Sequence, residues 1–400
     1  MPVTTKRLQI KLRTDDYKLY LHFLPPEILL KIFSYLESNF MINTLSIVCK
    51  AFNKLINDNY TWKSRINFKL TSTFPCIPVG ENFNWKKAVS NLDTEYHRWK
   101  NNGRNMNKFT IKSAHYSFIH AIHLFQNGRV CVSGSRDCAL KFWDLDKLTD
   151  PKNVNATDAL VDIHLDAHKG WIWTITSSGP QLCTGGWDAM LHLWDLENGC
   201  RRLYSAKCKG AVLCASLHNN VAAAGTYGRR VSTFDMRRGM LPVKEIWPHS
   251  RAVLAVHLDD KHIISASEDA TISVYDRTAN KTLTTLECPN YVMSMSYRDG
   301  FLYGGDKRGV IHLWDVTENQ FKFVQSFDVG HDGSMTGLSH NFGCVISGCT
   351  DRSIKVSSTS LPIITWASFE VEENVGDLYY LRGVLAASSS DAITIWKPNK

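Results

Sequence analysis

The sequence predicts a mainly β protein: seven four-stranded blades closed into a β-propeller, preceded by a small α-helical module and a helical linker. Two observations carry the ring. One phrase of residues recurs seven times, and its aromatic slot returns at a nearly constant interval. A third observation, hydrophobic spacing of helical period, is confined to the part of the chain before the repeats.

The phrase is clearest as LCTGGWDAMLHLWD at 182–195. It holds an apolar run, a pair of small residues, a turn carrying Asp188, an alternating strand and a closing Trp-Asp. It recurs at 132–144, 223–235, 264–276, 303–315, 346–358 and 386–397. The aromatic slot holds Trp143, Trp194, Phe234, Tyr275, Trp314, Ser357 and Trp396, at intervals of 51, 40, 41, 39, 43 and 39. A unit of this length cannot bury a core alone, and a period of about 40–45 residues with four short strands is that of propeller blades.

The repeats resemble WD repeats, over about three quarters of the chain. The resemblance implies a hydrogen-bonded set in each blade: a His before the first strand, a Ser or Thr in the second, an Asp in the next turn and a Trp in the third. Here the sets are His115/Ser133/Asp137/Trp143 and His168/Thr184/Asp188/Trp194, with partial sets His249/Ser265/Asp269/Tyr275 and His331/Ser347/Asp351. Blades three, five and seven place Ala224 and Gly228, Gly304 and Arg308, Ala386 and Ser390 in the Ser/Thr and Asp slots. They are expected to depend more on apolar packing.

Taken from the start, residues 1–20 read as a solvated basic tail. It has no apolar core of the kind a secretory signal needs. Residues 21–68 form a separate module. Leu24-Pro25-Pro26-Glu27 opens a helix, since proline is tolerated where the N–H has no helical partner. Ile28, Leu29, Ile32, Phe33 and Leu36 follow at helical spacing. Leu45, Val48, Cys49, Phe52, Leu55 and Ile56 continue the series, and Trp62 closes it. So small a bundle has little core of its own and needs a partner surface.

The order LPPEILLKIFSYL, LSIVCKAFNKL, Trp62 resembles the F-box, and F-box followed by propeller is similar to the F-box/WD-repeat family. The resemblance implies docking on the adaptor Skp1, and through it on a cullin-RING ligase. By the same resemblance Leu24, Pro25, Pro26, Ile28, Leu29, Val48, Cys49 and Phe52 contribute to the adaptor face. Ile32, Phe33, Leu36, Leu55 and Trp62 would be internal packing.

Residues 69–106 are a linker. Phe74–Pro78 is expected to be extended, because proline disfavours helix before it. Asn84 caps a helix over about 84–100, with Trp85, Ala88, Val89, Leu92, Tyr96 and Trp99 on one face. This stripe is expected to pack on the helical module or the propeller. The propeller itself spans 107–400. Its seventh copy reaches its aromatic slot at Trp396, leaving the last blade without a fourth strand. The alternating run Lys108–Lys112 is expected to supply it and so close the ring. Blade one carries about ten extra residues near 147–161, which read as a loop.

Composition excludes several classes. A net charge of +8 over 400 residues is mildly basic and unclustered, which argues against nucleic acid as a partner. The 11 cysteines are scattered without a C-x-x-C pair, so they read as reduced thiols in a cytoplasmic or nuclear protein. No apolar run is long enough to cross a membrane. There is no phosphate-binding glycine loop, no metal-spaced Cys/His cluster and no nucleophile–base–orienter set, so neither cofactor nor catalysis is expected.

The working surface is expected on the propeller's top rim. The residue before each turn Asp is Arg136, Trp187, Tyr227, Glu268, Lys307, Thr350 or Ser389. The slot early in each first strand is aligned as His120, Trp173, Cys214, Ala255, Ser294, Gly337 and Leu378. Blades one to three thus gather Arg136, Trp173, Trp187 and Tyr227, with Trp171 and Arg229 adjacent. Exposed aromatics with arginine are the usual composition of a binding hot spot. Arg136, Trp173, Trp187, Tyr227, Arg229 and Lys307 are therefore the candidate substrate residues. Some members of the family hold phosphorylated peptides with several rim arginines. Arg136 matches one such position, while His120, Trp173 and Cys214 stand at others, so a site for an unmodified or differently marked segment is expected. The resemblance implies the substrate-recognition subunit of a Skp1–cullin–F-box ubiquitin ligase. The alternative is a non-catalytic WD-repeat scaffold.

Overall fold

Each copy of the repeated phrase folds into antiparallel strands, and a fourth strand completes every blade, giving seven four-stranded sheets. The structure is a computed structural model that describes residues 21, 24–69, 83–316 and 320–399. The basic tail 1–20 and the Phe74–Pro78 stretch lie outside the described residues. Two compact units are present: a helical unit that takes in Asn84–Ser90, and a propeller unit that includes Asn91 onward.

The ring closes with a strand from its own beginning. Met106–Ile111 pairs antiparallel with Ala392–Pro398, with Lys108 opposite Trp396 and Phe109 opposite Ile395. Within each blade burial follows position. Second strands such as His262–Ser267, Phe301–Asp306 and Cys344–Cys349 are buried at every residue, because neighbouring blades cover both faces. Outer strands such as Arg201–Lys207 face solvent at nearly every residue.

Blade packs on blade through the small residues of the phrase. A Cβ on Gly185 would fall 2.5 Å from Val212 Cγ1, and one on Gly225 2.7 Å from Val253 Cγ1. Gly134, Gly305 and Gly348 meet Ile172, Met335 and Leu378 of the following blade in the same way. The glycine is a socket, and the apolar residue of the next first strand is its plug.

Blades one and two hold complete polar sets. Trp143 Nε1 donates to Ser133 Oγ at 2.9 Å, and Ser133 lies 2.7 Å from His115 Nε2. His115 Nδ1 reaches Asp137 at 2.9 Å. Trp194, Thr184, His168 and Asp188 repeat the chain at 2.9, 2.8 and 3.0 Å. In blade four the set stops short. His249 meets Ser265 at 2.9 Å, but the Tyr275 hydroxyl turns to Asn280. Blade five, expected to depend more on apolar packing, also holds a polar set. Asp306, fully buried, accepts from Asn290 at 3.2 Å and lies 3.3 Å from His312, whose other nitrogen meets Ser326. The acid sits at the end of the second strand, two residues before the expected slot, so the slot alignment did not register it.

The insertion of blade one is more ordered than a loop. Asn155 caps a single helical turn, Ala156–Ala159, by accepting from Thr157 N–H at 3.1 Å. Leu148 and Ala159 are buried in the adjacent core.

In the helical unit, helix α1 (Pro26–Ser34) buries Leu29 and Phe33, and α2 (Lys50–Asn57) buries Phe52 and Ile56. Three short helical pieces, Ser38–Phe40, Met41–Leu45 and Ser46–Val48, lie between them. Helix α3 (Asn59–Lys69) supplies Trp62, fully buried, whose Nε1 donates to Ile56 carbonyl at 2.6 Å. Arg65, also buried, donates to the Phe33 carbonyl, which Leu36 N–H also reaches at 3.1 Å, and to the Leu36 carbonyl just past the end of α1.

Helix α4 runs Trp85–Gly103 and leaves helical geometry at Lys100–Asn102. Asn84 Oδ1 accepts from Lys87 N–H at 2.9 Å. Its aromatic stripe packs in the propeller unit, Tyr96 meeting Trp366 edge-on at 5.6 Å and buried Trp99 lying 6.0 Å from Phe369 and from Tyr380. A polar anchor joins it: buried Glu95 accepts from Trp99 Nε1 at 3.0 Å, Tyr380 Oη at 2.5 Å and Arg98 at 2.7 Å.

Two outcomes test this account. Gly185→Val forces a branched side chain into the socket for Val212 and should lower unfolding stability by about 1–3 kcal/mol, read as a reduced urea midpoint. Removing residues 106–111 exposes the edge of the last blade; the protein should melt earlier and run as larger species on size exclusion.

Candidate functional site

In blades one to six the turn between the second and third strands is pinned to the chain entering the first strand. Arg136, Trp187, Tyr227, Glu268, Lys307 and Thr350 donate their backbone N–H to Phe118, Trp171, Ala211, Ala252, Tyr291 and Ser334 carbonyls at 2.9–3.1 Å. This shared bond places the slot residues equivalently on one rim. In blades one and two the turn is fixed further, since Asp137 and Asp188 each accept two backbone N–H groups besides binding His. Both carboxyls are held low, at about 2, by those bonds and by the imidazole, against the desolvation that opposes it.

A β-bulge breaks the first strand of every blade near its start. A bulge inserts one extra residue and re-aims it. In blades one to six the extra residues are His120, Trp173, Leu213, Leu254, Met293 and Thr336. The alignment through Cys214, Ala255, Ser294 and Gly337 is thus one residue late. Leu213, Leu254 and Met293 line the central channel, a cavity of about 620 Å³, as do Cys214, Ala255 and Ser294, of which Cys214 Sγ and Ser294 Oγ also bond the Val253 and Met335 carbonyls of the next blade.

The bulges of blades one and two assemble the site. His120 stacks on Trp173 with ring centres 4.0 Å apart and planes 23° apart. Arg136 Nε donates to His120 Nε2 at 2.7 Å, and its guanidinium lies 4.5 Å from the Trp171 ring and 5.5 Å from Phe118. Trp187 meets both Trp171 and Trp173 edge-on, at 5.7 and 5.8 Å, and Tyr227 stands 6.0 Å beyond it. Trp187 is 42% exposed and Tyr227 60%. Burial, reinforced by Arg136, holds His120 down to about 4, so it is a neutral acceptor at physiological pH.

Four of the six candidate substrate residues, Arg136, Trp173, Trp187 and Tyr227, are therefore contiguous. Arg229 is exposed at φ 67°, and among the described residues no hydrogen bond, ion pair or cation–π contact joins it to the cluster. Lys307 lies over Tyr291 in blade five, 5.2 Å from the ring centre. Phe118 and His120 complete the cluster; the early-strand slot signalled His120, but the bulge that turns it toward Arg136 carries no residue signature.

The eight candidate adaptor residues divide by burial. Pro25, Pro26, Ile28 and Val48 are exposed, and Leu24 and Cys49 half-buried. Leu29 and Phe52 are 2% and 5% exposed, and Phe52 packs edge-on against Phe33 at 5.4 Å. Their apolar surface is used inside the unit. Ile47 and Tyr35, which the spacing argument passed over, are 78% and 81% exposed.

Comparison with known proteins agrees with this architecture. The F-box-like family matches residues 21–67, and the WD domain, G-beta repeat family matches 107–144, 161–195 and 241–276. F-box/WD repeat-containing protein 9 from Bos taurus is 35% identical over 94% of this chain and 82% of its own length. The Homo sapiens protein of the same name is 33% identical with the same coverage. The chain belongs to the F-box/WD-repeat family. A further member, F-box/WD repeat-containing protein mec-15 of Caenorhabditis elegans, is 26% identical over 84% of this chain and 83% of its own. The computationally designed Ika8 protein shares the fold, with a TM-score of 0.56 at 18% identity, covering 71% of this chain and 97% of that one. In this F-box/WD-repeat chain the family match takes in blades one and two, which hold the complete polar sets.

The channel carries one titratable feature with a testable consequence. Asp377 Oδ2 accepts from Ile122 N–H at 3.0 Å, linking blades seven and one. Desolvation pushes its carboxyl from 3.8 up to about 7. A carboxyl whose folded value is raised binds more protons in the native state, so its contribution worsens as pH rises through that window. Asp377→Asn should therefore gain on the wild type as pH rises from about 4 to about 7 and keep that gain above it, read as the difference in melting temperature.

Proposed function

We propose that the chain is a substrate receptor of a Skp1–cullin–F-box ubiquitin ligase, acting in the cytoplasm or nucleus. The helical unit docks on Skp1, and the rim of blades one to three holds the protein to be modified. The chain supplies proximity while ubiquitin transfer takes place on other subunits. The observation that carries this reading is the F-box-like match over 21–67 together with unpaired apolar side chains on that same unit. Ile28, Ile47 and Val48 are 47%, 78% and 62% exposed. Apolar side chains grouped on a small surface mark an interaction site. Pro25, Pro26 and Val48 belong to the proposed adaptor face. Leu29 and Phe52 support it from beneath.

Co-expression with Skp1 tests the reading. Wild type should purify as a stable one-to-one complex. An Ile47→Lys, Val48→Lys variant should lose Skp1 while keeping its melting profile, since both residues are exposed. Phe52→Lys should instead unfold the helical unit, because it buries a charge without a partner. A wild-type protein that ignores Skp1 removes the ligase role and leaves the WD-repeat scaffold.

A further inference from the structure

Arg136 is unusually well held for a rim cation. Its guanidinium lies between Trp171 and Phe118, and its Nε–H is fixed by His120. His120 is itself immobilised by its stack on Trp173. The acceptor is a neutral ring, so the positive charge is oriented without being compensated. Among the described residues no carboxylate pairs with Arg136, and its two Nη groups carry no hydrogen bond. The turn acids of these two blades, Asp137 and Asp188, are committed to His115 and His168. Exposed Asp166, whose charge acts on Cys138 in the same turn, forms no ion pair with Arg136 among the described residues. Next to the guanidinium runs a row of partly exposed rings, Trp171, Trp187 and Tyr227.

We infer that this corner takes a carboxylate flanked by a flat apolar side chain, presented by an unmodified segment of the target. The carboxylate pairs with the Nη edge of Arg136, and the flat side chain lies against Trp187 and Tyr227. This rests on the receptor reading above and specifies what the rim selects. A guanidinium fork matches the two oxygens of a carboxylate. A phosphate dianion carries about twice the charge of a carboxylate, which one guanidinium leaves partly unpaired on a partly desolvated surface. The other candidate cations are not held against the cluster: among the described residues Arg229, exposed, has no hydrogen bond or cation–π contact to it, and Lys307 sits on Tyr291 in blade five. A pre-oriented, stacked arginine also loses little side-chain freedom on binding. The carboxylate can belong to an Asp or Glu side chain or to a chain terminus; the chemistry is the same.

Fluorescence anisotropy on the full chain tests the inference with four labelled peptides. One is amidated Gly-Ser-Asp-Trp-Gly-Ser. The others replace Asp by Asn, replace Asp by phosphoserine, or end at Trp with a free carboxylate and Asn in place of Asp. The Asp peptide should bind about tenfold or more tighter than its Asn counterpart, the loss expected of a hydrogen-bonded charge. Arg136→Gln should abolish that preference, and Arg136→Lys should not restore it, because an ammonium has no planar fork. His120→Phe keeps the stack on Trp173 but removes the acceptor; it should weaken the Asp peptide and leave the Asn peptide unchanged. Trp187→Ala should weaken both. Tighter binding of the free-carboxylate peptide assigns the site to a chain terminus, and tighter binding of the internal Asp peptide to a side chain. Equal binding of the Asp and Asn peptides, with the free-carboxylate peptide no better, overturns the inference. So does indifference to Arg136→Gln, a phosphoserine preference over Asp, or no binding at up to about 1 mM peptide. Capture of Skp1 by these rim variants reads the helical unit alone. Skp1 bound without peptide selectivity therefore sinks this inference and spares the receptor reading.

Discussion

The pairing of Met106–Ile111 with Ala392–Pro398 is the interaction on which the propeller depends. Every blade packs against two neighbours, and each glycine socket needs the plug of the next blade. In an open arc the two end blades would each lack a partner, and the seventh would expose a bare strand edge. Further bonds cross the same seam, among them Ile119 N–H to the Ser390 carbonyl at 2.8 Å and His115 N–H to the Asp391 carbonyl at 3.2 Å. Lys397 Nζ donates to the Leu148 carbonyl at 3.0 Å, and Ile122 N–H donates to Asp377. The insertion of blade one therefore helps hold the last strand in place.

Stability and site formation share residues. The Trp–Ser/Thr–His–Asp chains are complete in blades one and two, where a buried network has all its members satisfied. Their terminal acids pin the turns that carry Arg136 and Trp187. The same two blades hold the bulges that bring His120 and Trp173 face to face. Elsewhere the rim lacks this combination. Blade five keeps a buried acid, Asp306, but directs it to Asn290 and His312 within the blade.

Much of the architecture was legible because it is periodic. The intervals between aromatic slots, the paired small residues and the His-to-Ser/Thr spacing identify seven blades without coordinates, and the incomplete last copy implies a closing strand. The nearness of Arg136, Trp173, Trp187 and Tyr227 followed from their slots. The bulges were not legible: an extra residue in a short strand leaves hydrophobic alternation nearly intact, so the first-strand alignment slipped from blade three onward. Leu29 and Phe52 show a second limit. Helical spacing marks an apolar face but does not divide it between a unit's own core and a partner. Arg65 and Glu95 show a third, since charged residues are expected outside, and only long-range neighbours reveal the carbonyls and the phenol that they bond within.

By itself the sequence determined the number of blades, the order of helical unit and ring, the closure of the ring and the residues of two polar networks. Those features rest on local chemistry repeated at a fixed period, which one chain displays directly. Only the tertiary structure decided that His120 faces Arg136, that the guanidinium is stacked but uncompensated, and that Ile47 and Val48 rather than Phe52 meet solvent. These depend on which side chain arrives across a gap of many residues. That is set by bulges and packing between elements, and neither leaves a period in the sequence.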